Sequence, residues 1–85
     1  LSGFFLEFLT RPQCHLCRDA ELVVRRVARL VGASVVEVDV DRHPDLAVDF
    51  GLRIPVVRSP GGAVLGEGRL AFGHLLFAAV RARLR

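Results

Sequence analysis

The sequence predicts an α/β fold of order β-α-β-α-β-β-α, a four-stranded mixed sheet flanked by three helices. Three observations lead there. An apolar run, a stretch of helical period and an alternating run follow one another from Phe4 to Asp41, which is the pattern of a βαβ unit with parallel strands. Two short apolar runs then flank Ser59-Pro60-Gly61-Gly62, as in an antiparallel hairpin. The only two cysteines, Cys14 and Cys17, stand three apart where the first strand gives way to the first helix.

The first strand is read at Phe4–Leu9, Phe-Phe-Leu-Glu-Phe-Leu, a continuous apolar run suited to burial on both faces. Glu7 interrupts it and is expected at a salt bridge or an exposed edge, because buried acids without partners are rare. The first helix is expected from His15 to Val31. Ala20, Val23, Val24, Val27, Ala28 and Val31 recur at helical spacing, while Arg18, Leu22, Arg25 and Arg29 take the other face. Glu21 can pair with Arg25 one turn on, and Gly32 is the natural stop. Ser34–Asp41 alternates Val36, Val38 and Val40 with Glu37, Asp39 and Asp41, which predicts a half-buried strand at a sheet edge.

A short second helix begins near Arg42-His43-Pro44-Asp45, with Leu46, Ala47 and Phe50 as its apolar face and Gly51 at its end. Pro55 opens the third strand, which runs to Arg58. Ser59-Pro60-Gly61-Gly62 suits a type II turn, and Ala63-Val64-Leu65 returns as the fourth strand. Gly66-Glu67-Gly68 breaks the chain. Arg69–Arg85 is the last helix, with Leu70, Phe72, Leu76, Phe77, Val80 and Leu84 as its apolar stripe and Arg81, Arg83 and Arg85 complementing its C-terminal end. The six phenylalanines are expected in the core.

Composition narrows the function. The chain has 85 residues, which suits one domain, and an apolar share of 52%. No apolar run reaches the ~18 residues of a membrane span, so no membrane partner is expected. Net charge is +3, all of it carried by arginine as the basic residue. These arginines are scattered and have no exposed aromatic set beside them, which argues against nucleic acid. Two cysteines are too few for a secreted disulfide scaffold. Leu1–Thr10 lacks a basic leader and a cleavage site, so a cytoplasmic location is expected; the chain has no Met, and an upstream targeting segment stays open.

The cysteine spacing carries the chemistry. With Cys14 at a helix mouth, Cys17 lies one turn on along the same face, within the roughly 4.4–6.8 Å between α-carbons that a disulfide needs. Unpaired N–H groups at the mouth favour thiolate, the attacking species. His15 and Arg18 are candidates for tuning that thiolate, and Asp19 opposes them as a negative charge in the first turn. Two other readings remain: a pair of structural thiols, and a metal site in which His15 with His43 or His74 completes the four ligands of a closed zinc centre. His43 and His74 are otherwise read as surface residues, and metal is not expected.

The whole pattern, with Cys-His-Leu-Cys after the first strand and Ile54-Pro55 before the third, resembles the thioredoxin superfamily. In size and motif it is most similar to small bacterial glutaredoxin-like proteins. The resemblance covers residues 1–85 as a single glutaredoxin-like domain. It implies a thiol–disulfide oxidoreductase in which Cys14 is the nucleophile and Cys17 the resolving thiol. It further implies that Pro55 is a cis-proline and that the Ile54 backbone meets an extended substrate, with Arg11 as the basic residue before the motif. Disulfide-containing proteins or small thiols are the implied partners of a monomer with no tightly bound cofactor. The family's usual Gly-Gly and Asp, which hold glutathione, are not matched by Gly66-Glu67-Gly68-Arg69, so glutathione is a weak expectation. A redox-inactive protein-binding module is the alternative.

Overall fold

The computed structural model describes residues 3–85; Leu1 and Ser2, part of the stretch read for a leader, lie outside the described residues. The elements are β1 (Phe5–Thr10), α1 (His15–Val31), β2 (Ser34–Asp39), α2 (Pro44–Phe50), β3 (Val56–Arg58), β4 (Val64–Glu67) and α3 (Phe72–Leu84), with a short 3-10 turn at Val40–Arg42. They follow the expected order. The sheet runs β2-β1-β3-β4, with β1 parallel to β2 and antiparallel to β3, and β3 antiparallel to β4. As expected, β2 is an edge.

Alternation along the two central strands divides the core. Leu6, Phe8 and Val57 point to one face, where they pack with Ala20, Val24, Val27 and Ala28 of α1 and Leu75 and Ala79 of α3. Leu9 and Val56 point to the other, where they meet Val40 and Phe50. Glu7 lies on this second face, opposite Arg58 in register, and the two form an ion pair at 2.6 Å. Arg58 also lies over the Phe50 ring, 5.1 Å from its centroid. The apolar run of β1 thus tolerates one acid because its cross-strand neighbour is a cation. Gly32 ends α1 as read, in the left-handed conformation at φ 70°.

Several expectations are corrected. The strand β2 stops at Asp39, not Asp41, because the Asp39 carboxylate accepts the Asp41 N–H at 2.9 Å and starts the 3-10 turn. Val36 is 44% exposed, since one side of an edge strand has no neighbour to cover it. Pro55 precedes β3 rather than opening it. In the hairpin the positive φ falls on Gly62 (93°), not on Gly61, and Gly62 N–H donates to Ser59 O. That is the pattern of a type I turn followed by a left-handed residue, not type II. Gly66 and Glu67 belong to β4 instead of breaking it. A Cβ at Gly66 would sit 3.1 Å from Leu70 Cδ2, so the glycine admits Leu70 against the sheet.

The last helix starts at Phe72, three residues later than expected, because the chain needs Gly68 at φ 68° and an extended Ala71 to cross from β4 to the helix layer. Its apolar stripe is also rotated. Leu75 and Ala79 are buried, with Phe72 and Leu76 packed around them, whereas Phe77 is 64% and Leu84 80% exposed and Val80 is exposed too. Five phenylalanines are buried or partly buried; Phe77 is not. Leu75→Ala is therefore expected to cost about 2–5 kcal/mol of stability, and Phe77→Ala less than about 1 kcal/mol. Urea unfolding of the two variants checks which face of α3 holds the fold.

Candidate active site

The first strand ends at Thr10, and four residues carry the chain into α1. Gln13 has φ 61°, the only non-glycine residue with positive φ among the described residues. That left-handed step turns the backbone so that Cys14 (φ −111°, ψ 107°) takes the N-cap position of α1. The Cys14 sulfur then does what a serine or aspartate oxygen does at most caps. It accepts the Cys17 N–H at 3.2 Å, while Cys14 O accepts the Arg18 N–H at 3.1 Å. Cys14 and Cys17 form a disulfide, with α-carbons 5.2 Å apart. Cys14 is half-buried, and Cys17 is 3% exposed.

Pro55 reaches the same end of the sheet. Leu9 faces Val56 across the β1–β3 register, so the exit of β1 and the entry of β3 lie side by side. The Ile54–Pro55 peptide is cis, Pro55 is buried, and its carbonyl accepts the Gly68 N–H at 2.8 Å. Ile54 donates its own N–H to Phe50 O at 3.1 Å. Of its two backbone polar groups, the carbonyl is what Ile54 has left to offer.

Arg11 is engaged as a brace. Its guanidinium donates to the Asp41 carboxylate, Nη2 to Oδ1 at 2.9 Å, and to Gly51 O at 3.0 Å. It ties the loop before the cysteines to the 3-10 turn and to the end of α2. Gly51 is buried beneath it, and a Cβ there would stand 3.5 Å from Arg11 Nη2. Arg18 Nη2 lies 3.2 Å from His15 Nδ1. A guanidinium only donates, so the contact is a hydrogen bond in the ring form whose Nδ1 carries no proton. Asp19 is the fifth residue of α1, and its first turn holds no acid, so the expected opposition at the helix mouth is displaced by a turn.

A cleft of about 310 Å³ opens between α1 and β2, lined by Arg11, Gln13, Arg18 and Asp39 among others, and reaches Cys17. The other histidines do not join the site. His43 is the exposed cap residue of α2 and His74 is exposed on α3. Among the described residues no three of His, Cys, Asp and Glu converge as metal ligands, so the zinc reading lacks its ligand set. No helix among them is long and apolar enough to cross a membrane.

Sequence reasoning did not find two features here. Gln13 gave no signal, because glutamine has no preference for positive φ. Arg53 was not singled out, and Glu67 was read only within a departure from the family's glutathione-holding segment. They form an ion pair at 2.6 Å that spans from the segment before Pro55 to β4, and Arg53 also covers the Phe50 ring. Opposite charges flanking a predicted hairpin were the available clue. The Arg53 hydrogen bond holds the Glu67 carboxyl below its ordinary pKa, against a smaller opposing effect of desolvation. The same bond raises the Arg53 guanidinium.

Comparison with known proteins agrees with this fold. Residues 5–83 match the model of the glutaredoxin-like domain (DUF836). Among solved structures, protein XcR50 from X. campestris is 28% identical, with a TM-score of 0.72 over 85% of this chain and 91% of that one. Protein Ne2328 from Nitrosomonas europaea is 18% identical, with a TM-score of 0.74 over 88% and 89%. A mutant thioredoxin from Halobacterium salinarum NRC-1 is 25% identical, with a TM-score of 0.72 over 95% and 75%. No curated protein matches.

The Arg53–Glu67 pair predicts a pH effect with a definite sign. A carboxyl lowered in the folded state stabilises it above the unfolded carboxyl's pKa, and that contribution is lost as pH falls through the lowered value. Both groups are exposed, so the effect on stability is small. In an NMR titration of side-chain carboxyls, Glu67 is expected to titrate below the ordinary glutamate range and to return upward in Arg53→Gln.

Proposed function

This chain belongs to the glutaredoxin-like domain family, and from that premise we propose that it is a thiol–disulfide oxidoreductase with Cys14 as nucleophile and Cys17 as resolving thiol. The observation that carries the reading is the asymmetry of the pair. One cysteine caps the helix and is half-buried, and the other, one turn further in, is buried.

In the reduced protein, Cys14 as thiolate attacks one sulfur of a substrate disulfide. The Cys14–substrate bond forms, the substrate S–S bond breaks, and the first substrate thiolate leaves and takes up a proton from solvent. Cys17, on losing its proton, attacks Cys14 Sγ. The Cys14–Cys17 bond forms and the second substrate thiolate departs. The net transfer is two electrons and two protons from the dithiol to the substrate, and a low-molecular-weight thiol or another dithiol protein reduces the pair again.

The helix mouth lowers the cost of the first step. The Cys17 N–H that donates to Cys14 Sγ favours thiolate over thiol. A hydrogen bond to a charged group contributes about 1.5–3 kcal/mol, and the helix dipole about 0.3–1 kcal/mol more. Together these are comparable with the ~2.7 kcal/mol that would shift a thiol by two pKa units. Arg18 adds its charge at the same turn, with His15 as its hydrogen-bond partner. Ile54 O and Pro55 offer the substrate an extended edge at the end of the sheet where β1 leads to the cysteines, and Arg11 fixes the loop between. No tightly bound cofactor enters this scheme. Glutathione remains a weak candidate for the reductant, since Glu67 is paired with Arg53 where the family holds that ligand.

Removal of the nucleophile separates this reading from a redox-inactive binding module. Cys14→Ser is expected to abolish disulfide reduction, by about 10³-fold or more in rate given the loss of the attacking group. Cys17→Ser is expected to accumulate mixed disulfides on Cys14, visible by mass spectrometry of the intact protein under non-reducing conditions. Equal trapping by both variants, or reduction that survives Cys14→Ser, would overturn the assignment.

A further inference from the structure

A second, smaller cleft of about 120 Å³ lies against α1 on the side of the β4–α3 connection. Its apolar lining is Leu16, Ala20, Val23 and Leu70, and its two charged residues are Asp19 and Arg69. Two of its lining residues are chain neighbours of the thiol site. Leu16 lies between the two cysteines. Arg69 follows Gly68, whose N–H is bonded to the Pro55 carbonyl at 2.8 Å. A chain that meets Ile54, Pro55 and Cys14 therefore meets residues two positions in sequence from Leu16 and, through the Gly68 bond, one from Arg69.

Charge supports an occupant. Among the arginines around the thiol site, Arg11 is bonded to Asp41, Arg53 to Glu67, and Arg18 to the His15 ring. Arg69 is exposed and has no ion pair or side-chain hydrogen bond among the described residues. Asp19 stands on the α1 side of the cleft and does not pair with it. The volume corresponds to about four waters at roughly 30 Å³ each, the bulk of one aliphatic side chain.

We infer that this cleft is a substrate subsite, which seats an aliphatic side chain next to the substrate cysteine while Arg69 binds a carboxylate on the same segment. The preferred substrate is then a disulfide in an extended, acidic peptide. Glutathione disulfide supplies carboxylates but no aliphatic side chain. Asp19 restricts the acid to the β4–α3 side, because a second carboxylate near α1 meets a like charge. The inference rests on the oxidoreductase reading above and names the substrate class for that site.

The test is a single-turnover assay. Pre-reduced full chain is mixed with short cystine-bridged peptides that carry Leu-Glu, Leu-Lys or Gly-Glu beside the half-cystine, and with 2-hydroxyethyl disulfide as a probe lacking both groups. The second-order rate constant is expected to be about two- to fivefold higher for Leu-Glu than for Leu-Lys, the range of an exposed ion pair. Leu-Glu should exceed Gly-Glu by roughly tenfold. The Glu-over-Lys preference should collapse near 1 M salt, where screening acts within about 3 Å. Arg69→Glu should reverse it, and Asp19→Asn should enlarge it. A Glu-to-Lys ratio unchanged by Arg69→Glu, or Leu-Glu reacting no faster than Gly-Glu, overturns the subsite and leaves the redox function intact. Failure to reduce even 2-hydroxyethyl disulfide overturns the redox function, and the subsite with it.

Discussion

The sulfur of Cys14 occupies the place of a helix-capping oxygen, and the rest of the site is arranged to keep it there. A helix begins with N–H groups that have no intrahelical acceptor. Here one of them, on Cys17, is answered by Cys14 Sγ at 3.2 Å. A structural need, capping α1, is thereby met by the atom that the proposed chemistry uses. The cap exists only because Gln13 takes a left-handed step, so the backbone of a residue with no chemistry of its own decides where the sulfur points.

That turn is braced on more than one side. Arg11 links the loop to Asp41 and to Gly51 O, which joins β1 to the second core across the sheet. On the opposite flank Pro55 is held between the β1–β3 register and the Gly68 N–H. The Arg53–Glu67 pair closes the same segment onto β4. The two ion pairs among these contacts are exposed, and each adds little to stability. Their value lies in restricting where loops can go, since the strands and helices they connect already have buried apolar faces to hold them.

How far the sequence could be read follows from the range of each interaction. Strand alternation and helical period depend on near neighbours, which is why α1 was found with its ends and β2 was placed at an edge. The thiol pair was legible for the same reason, a three-residue spacing at a strand-to-helix junction. The β4–α3 connection was not. Gly66 looked like a breaker, but its missing side chain makes room for Leu70, a relation visible only in three dimensions. The stripe of α3 was misread because its residues are apolar nearly all round, so period alone could not tell Leu75 from Phe77. Arg11, Arg53 and Glu67 carried charges whose partners lie 14 to 40 residues away, beyond any local pattern.

The exclusive use of arginine has a consequence for how such a small domain stays ordered. Five guanidinium groups lie over phenylalanine rings, including Arg26 on Phe72 at 4.3 Å and Arg83 on Phe4 at 5.5 Å. A planar guanidinium can cover an aromatic face and still keep its edge in water or on a carboxylate, which an ammonium does less well. Arg53 and Arg58 do both at once, stacking on Phe50 while bonded to Glu67 and Glu7. Phe50 thus connects the segment before Pro55 to the one acid within β1.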